Sequence, residues 1–283
     1  MKTPKRLQPL VDEGLIDEVM RQLMSGKEAT VYVVRCGDDI RCAKVYKDAT
    51  ERSFHQAVAY QEGRRVKNSR QARAMEKGTK FGRKMAEEVW QNAEVDALYR
   101  LAAAGVRVPT PFICFEGVLL MELVTAADGN AAPRLNDVEL SAEQALLFHA
   151  ALLRQVVLML LAGVIHGDLS EYNILVDEHG PVIIDLPQAI DAAGSSVAAS
   201  MLERDVTNLA NFFGAVVPEL LGSQYGKEIW ALYEAGLLTP DVPLTGRVAA
   251  PTAPADVDGV IREIAIAREE EEERVRLKME AQS

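Results

Sequence analysis

Residues 166–173 read His-Gly-Asp-Leu-Ser-Glu-Tyr-Asn, and the apolar run Val182-Ile-Ile184 leads straight into Asp185. Two short strands are predicted here, Ile174 to Val176 and Val182 to Ile184, folded back about a His179-Gly180 turn. Leu169 and Ile174-Leu175 anchor the loop, and the polar residues between them point into a cleft. Asp168 thus stands five residues before Asn173, with Asp185 behind an apolar strand. That is the layout of a phosphoryl-transfer site: one carboxylate accepts the proton of an incoming hydroxyl, while a carboxamide and a second carboxylate hold a hard cation against phosphates.

Lys44, in Cys42-Ala-Lys-Val-Tyr46, lies on a predicted strand that alternates apolar and polar residues. An inward-pointing lysine needs anionic partners, which nucleotide phosphates and a helix carboxylate would supply. Glu94, on a helix predicted over Met85 to Ala104, is the candidate carboxylate, with Glu87 and Glu88 as rivals on the same helix. The strand pairs as a hairpin, Thr30 to Arg35 with Ile40 to Tyr46, across Cys36-Gly-Asp-Asp39. The turn before it, Ser25-Gly-Lys-Glu-Ala-Thr-Val31, can present backbone N–H groups to phosphate oxygens, with Gly26 allowing close approach, Ser25 bonding a phosphate and Lys27 leaning over it. It is not a Walker motif, because Glu28 stands where Ser or Thr should follow Gly26-Lys27. Met121-Glu-Leu-Val124 ends an apolar strand. Backbone groups of Glu122 and Val124 could pair with an adenine edge, with Met121 behind it, although a plain connector explains the same residues.

The net charge of −11 argues against general affinity for nucleic acid or anionic membranes. One segment runs the other way: Lys47 to Lys84 holds eleven Lys/Arg against four Asp/Glu. A solvated loop is the plain reading of that segment, contact with phosphates or RNA the sharper one. Cys36, Cys42 and Cys114 have no metal-binding spacing, and with no apolar N-terminal leader the expected location is cytoplasmic. The longest apolar run, Val156 to Ile165, is too short to span a bilayer.

Three regions are expected: residues 1–124 as an N-terminal lobe, 125–236 as a helical catalytic lobe, and 237–283 as a Pro/Ala-rich tether with a charged helix or tail. The first opens with an amphipathic helix over Leu7 to Leu23. Thr125 to Pro133 is a linker by composition. Ser141 and Gln144 form a capping box that starts a long apolar helix to about Ala162, central to the second lobe. Further helices fall near Ser200 to Phe213 and Gly226 to Ala235. His166 reads as a packed support of the loop rather than a proton carrier.

Taken in order, Ser25-Gly-Lys-Glu-Ala-Thr-Val-Tyr32, Ala43-Lys-Val-Tyr-Lys47, Trp90 leading to Glu94, Ala132-Pro-Arg-Leu135, His166 to Asn173, Ile184-Asp-Leu-Pro-Gln188 and Arg204-Asp-Val-Thr-Asn208 with Asn211-Phe-Phe213 resemble the RIO family of atypical serine/threonine protein kinases, type-one branch. The resemblance runs from about residue 7 to about residue 235. It implies an α+β, bilobal, protein-kinase-like fold of the compact RIO type: a small β-rich N-lobe, an extra N-terminal helix and a reduced helical C-lobe. It also implies ATP with Mg²⁺ (or Mn²⁺), Lys44 on the phosphates, Asp168 as proton acceptor, and Asn173 with Asp185 on the metal. In this family the residue matching Asp185 can take the phosphoryl group itself, and eukaryotic and archaeal members act in small ribosomal subunit maturation. Ser170 stands where ordinary protein kinases place a lysine, and no A-P-E motif follows Asp185.

The expected activity is therefore ATP- and Mg²⁺-dependent phosphorylation of protein hydroxyls, with autophosphorylation at Thr50, Ser53, Ser69 or Thr79. Two other readings stay open. One is a small-molecule kinase resembling aminoglycoside phosphotransferases, which usually carry His-Pro-Gly where this chain has Ser170-Glu-Tyr172. The other is an ATPase switch that docks on ribosomal particles through an aspartyl-phosphate cycle.

Overall fold

A computed structural model describes residues 2–26, 28–47 and 93–248. Lys27, Glu87, Glu88, Thr50, Ser53, Ser69, Thr79, nearly all of the basic segment and residues 249–283 lie outside them.

Five antiparallel strands form one sheet in the order β1-β2-β3-β5-β4. They are β1 (Glu18–Ser25), β2 (Ala29–Cys36), β3 (Asp39–Tyr46), β4 (Pro111–Phe115) and β5 (Val118–Glu122). The β2–β3 hairpin closes at Cys36↔Asp39, so its loop is the two residues Gly37 and Asp38, with Gly37 at φ 63. A left-handed first loop residue suits the twist of the flanking strands, and glycine adopts it without strain. Alternation along β3 then sorts the side chains. Ala43 and Val45 join a cluster with Leu7, Leu10 and Ile16 on one face, while Tyr46 and the cross-strand neighbour Leu119 face the main core. Lys44 points to the same side as Tyr46, by the two-residue period of a strand.

The helix expected over Leu7 to Leu23 is instead a short helix, α1 (Gln8–Asp12), followed by the edge strand β1. Gly14, at φ 71, breaks the helix after its first turns. The apolar positions that fitted a helical stripe split between the two elements. Leu10 and Ile16 cover the sheet, Val19 is buried from β1, and Met20 is left 44% exposed.

The second half is helical. Helix α2 covers 93–103 within the described residues, and Gly105 at φ 78 follows it. Helix α3 (Ala142–Leu161) starts at the Ser141–Gln144 capping box, with both reciprocal bonds made. It is long and apolar enough to cross a membrane, but Leu152, Leu153, Val156, Val157, Met159 and Leu160 are buried in the protein core. Packed with it are α4 (Ala198–Gly214) and α5 (Tyr225–Glu234). Between α3 and α4 run β6 (Val164–Ile165), the hairpin β7 (Ile174–Asp177) and β8 (Gly180–Ile183), and β9 (Ile190–Asp191), which pairs with β6. The segment after Leu238 is no free tether in its first part. Thr245 and Gly246 donate their backbone N–H groups to Glu228 of α5 at 2.7–3.0 Å, and Leu238 is buried.

Candidate active site

Lys44 Nζ lies 2.5 Å from Glu94 Oε1 and 2.9 Å from Asp185 Oδ1. These three residues come from β3, α2 and the end of β8, so the contact joins the sheet to the helical half. Lys44 and Glu94 are 9% and 4% exposed, and each buries its polar end against the other. Burial pulls the lysine pKa down, but Glu94 and Asp185 outweigh it and hold the ammonium well above its ordinary value. Burial works to raise Asp185, yet the adjacent Lys44 keeps that carboxyl below its usual range. The Tyr46 phenol beside them is pushed up, by burial first and by the Glu94 carboxylate second.

Asp185 sits at φ 67, a left-handed backbone that non-glycine residues adopt at a cost. Its carboxylate stays 45% exposed. Behind the Lys44 ion pairs lies a small open cleft, walled by Leu98, Pro109, Leu119, Met121, Ile184 and Leu186. An apolar wall ending in a few convergent charges is the usual build of a small-molecule pocket.

The loop carrying Asp168 is fixed from behind. The Asp205 carboxylate, on α4 and 2% exposed, accepts the N–H of Gly167 at 2.8 Å and of Leu169 at 3.0 Å. Arg204 donates to the Gly167 carbonyl, and Asn208 Nδ2 to the Leu169 carbonyl at 3.1 Å. Gly167 has to be glycine: it lies at φ 80, and a Cβ there would stand 2.6 Å from the Gln188 carbonyl oxygen. His166 is buried, with Nε2 3.0 Å from the Ile184 carbonyl and Nδ1 accepting the Asp168 N–H at 3.3 Å. It ties the Asp168 loop to the approach to Asp185.

Asp168 therefore has both flanking residues clamped while its own carboxylate faces outward, touched by Gln188 Nε2 at 3.3 Å. Burial raises its pKa; His166 and Arg204 oppose the rise and Asp185 adds to it. A carboxylate shifted upward is a better proton acceptor at neutral pH. Asn173 Nδ2 donates to the Asp168 carbonyl at 2.9 Å, which leaves its amide oxygen as the atom with cation-binding chemistry. The Asn173 backbone carbonyl accepts the Ile184 N–H at 2.9 Å, next to Asp185, and the two side chains carry hard oxygens of the kind Mg²⁺ takes.

The remaining expected site residues are held as follows. The Gly26 N–H, expected to face a phosphate, closes its own turn onto the Ala29 carbonyl at 2.9 Å. Ser25 Oγ lies 3.2 Å from Thr30 Oγ1, and Lys47 Nζ caps the Gly26 carbonyl at 2.6 Å. Met121 lines the cleft. The Glu122 side chain turns away from it to Arg107, with Oε1 3.0 Å from Nη2, and its backbone N–H donates to the Thr110 carbonyl at 2.9 Å. The Val124 carbonyl accepts from Ala132 N at 2.9 Å, and its side chain packs with Ala132 and Val182.

Asp205 is the functional residue that residue-by-residue reasoning left without a role. The signal was available: an aspartate on the same helical stripe as Met201, Leu209 and Phe213 is a charge where only an apolar group belongs, unless backbone donors await it.

The RIO domain family matches residues 30–223 of this chain. The RIO-type serine/threonine-protein kinase Rio1 of Haloferax volcanii is 36% identical over 207 residues, 72% of this chain and 66% of the relative. The protein of that name from Methanocaldococcus jannaschii is 33% identical over 192 residues, 67% and 60% of the two chains. The serine/threonine-protein kinase rio1 of Schizosaccharomyces pombe is 29% identical over 218 residues, 75% of this chain and 41% of the relative. The chain thus spans less than two thirds of the length of these relatives. With the family match covering well over half of its residues, the chain belongs to the RIO domain family.

Proposed function

We propose that this protein transfers the γ-phosphoryl group of ATP to a hydroxyl of a protein substrate, its own chain included. The observation that carries the reading is the convergence of Lys44, Glu94 and Asp185 from three separate elements at the mouth of an apolar cleft. In that reading the adenine lies against Leu119, Met121 and Leu186, and Lys44 exchanges part of its contact with Asp185 for phosphate oxygens. Glu94 holds the lysine in place meanwhile. Asn173 and Asp185 would hold Mg²⁺, which supplies positive charge against the phosphates when bound. The acceptor oxygen attacks the γ-phosphorus, the bond to the β–γ bridging oxygen breaks, and ADP leaves. The hydroxyl proton passes to the Asp168 carboxylate. Positioning does most of the work, because the transferred group needs little covalent help.

A second route has one observation in its favour. The Asp185 carboxylate is held ionised by Lys44, yet remains 45% exposed at the cleft, as a nucleophile for phosphorus must be. Attack by Asp185 would give an aspartyl phosphate, which water then hydrolyses, and the protein would run as an ATPase switch. A small ribosomal particle is the partner proposed for that cycle.

The test is transfer of labelled γ-phosphate by wild type, Asp168→Ala and Asp185→Asn. Acid-stable label that survives hydroxylamine, lost in Asp168→Ala, supports hydroxyl transfer; label released by hydroxylamine and lost in Asp185→Asn supports the acyl phosphate. Full turnover in both variants would refute the assigned roles.

A further inference from the structure

The segment Ala132-Pro-Arg-Leu135 has no part in the chemistry above, although it crosses close to it. Its backbone is firmly held. Arg134 bridges to Leu175 of β7, Val176 N donates to the Pro133 carbonyl at 2.9 Å, and Leu135 is fully buried in the core. β7 is the strand that begins directly after Asn173, so Arg134 is fixed relative to the metal-binding end of the hairpin.

Its side chain reaches the other half of the site. Nη2 lies 3.1 Å from Met24 Sδ, at the end of β1 and one residue before Ser25-Gly26. Arg134 is also near enough to Asp185 to help, after Lys44 and His166, in drawing that carboxyl down. Yet among the described residues no carboxylate takes the guanidinium. Among the described residues it makes no ion pair, and its one side-chain hydrogen-bond partner is the Met24 thioether, a weak acceptor. The acid in the next turn, Asp137, accepts from Asn136 instead.

A half-buried guanidinium has five donors in a planar fork and usually finds a carboxylate or phosphate. Here it stands by the turn after β1 and within electrostatic reach of Asp185, with sulfur as its one side-chain partner among the described residues. We propose that Arg134 is a phosphate-binding residue, gripping the terminal phosphate oxygens of the bound nucleoside triphosphate and stabilising their charge as the group is transferred. This inference rests on the nucleotide reading above and adds to it the residue that closes the triphosphate end of the site.

The experiment uses the full chain with Mg²⁺ present, and compares wild type, Arg134→Gln and Arg134→Lys. Calorimetry gives the affinities for AMP and for the β,γ-imido analogue of ATP, and single-turnover labelling gives the transfer rate. Arg134→Gln is expected to leave AMP binding unchanged, weaken the imido analogue about tenfold and slow transfer roughly a hundredfold, the scale of losing one oriented donor to developing charge. Arg134→Lys should recover part of each loss, keeping the charge without the fork. The proposal is overturned if Arg134→Gln matches wild type on both readouts, or if it loses AMP and the analogue equally, which would make Arg134 a structural staple to Met24. Should Arg134→Gln fail to fold, the same split between AMP and analogue is read on Arg134→Lys. Wild type that binds neither nucleotide would sink the phosphotransfer reading itself, and this inference with it; wild type that transfers normally beside an unaffected Arg134→Gln sinks this one alone.

Discussion

Asp205→Ala is the substitution that best separates a scaffold around the catalytic loop from a set of accidental contacts. The native carboxylate satisfies two buried backbone donors, Gly167 N at 2.8 Å and Leu169 N at 3.0 Å, on either side of Asp168. Alanine leaves both N–H groups without an acceptor in a site where Asp205 itself is 2% exposed. Each orphaned donor costs about 1–3 kcal/mol. Burial also strains the native carboxylate, raising its pKa, so part of the loss is returned when the charge is removed. A net destabilisation of about 3 kcal/mol is the central expectation, or roughly 6–12 °C in melting temperature for a domain of this size. The catalytic consequence should be larger than the stability alone implies. A displacement of about 1 Å in a catalytic group can cost about a hundredfold in rate. Asp205→Ala should therefore lower kcat for ATP turnover about a hundredfold, measured well below its own melting point, with KM for ATP little changed because Lys44 and the apolar wall are untouched. Asp205→Asn, which keeps one acceptor oxygen, should fall between. The reasoning is refuted if Asp205→Ala melts within 2 °C of wild type (a shift that corresponds to less than about 1 kcal/mol) or turns over ATP at an unchanged rate.

Two further outcomes follow from the packing. His149, on α3 and 3% exposed, lies edge-on to Phe213 and close to Tyr225, and burial lowers its pKa from 6.5 to about 4. The unfolded chain therefore binds this proton first: the stability gained by a neutral ring is complete above pH 6.5 and is lost as the pH falls toward 4, by about 3 kcal/mol in all. In denaturant titrations wild-type stability should fall more steeply than that of His149→Phe from pH 6.5 to 4 and run parallel to it above pH 6.5; curves parallel throughout would rule the account out. Gly226 lets α5 approach α4, and a Cβ there would stand 2.8 Å from the Glu203 Cα, which is backbone and cannot swing away. Gly226→Ala should cost about 1–3 kcal/mol by thermal melting, and an unchanged melting temperature would show that the helices separate freely.

The layout of the site was legible wherever local spacing and local geometry coincide. Asp168, Asn173 and Asp185 sit around one hairpin, so strand alternation and a short turn suffice to bring them together. The same holds for the Gly37 hairpin and for the Ser141 cap, whose partners are within a few residues of each other. Reading failed where one pattern serves two structures. Leu10, Leu15, Ile16, Val19, Met20 and Leu23 fit a helical stripe, but the sheet takes residues from Glu18 onward as its edge and Gly14 divides the rest from them. Pro- and Ala-rich composition after Leu238 suits a loose tether and a docked irregular segment equally, and the acceptor oxygens of Glu228 on α5 distinguish the two.

The sequence by itself determined which functional groups exist and, through the two-residue period of β3, that Lys44 and Tyr46 share a face. It offered Glu94 as a partner for Lys44, with Glu87 and Glu88 as rivals, but could not choose among them or add Asp185, because the partners lie 50 and 141 residues away and no local pattern measures that distance. Tertiary structure decided it. A buried ammonium is tolerable only with anions beside it, so packing α2 and the β7–β8 hairpin against the sheet had to bring Glu94 and Asp185 to the lysine.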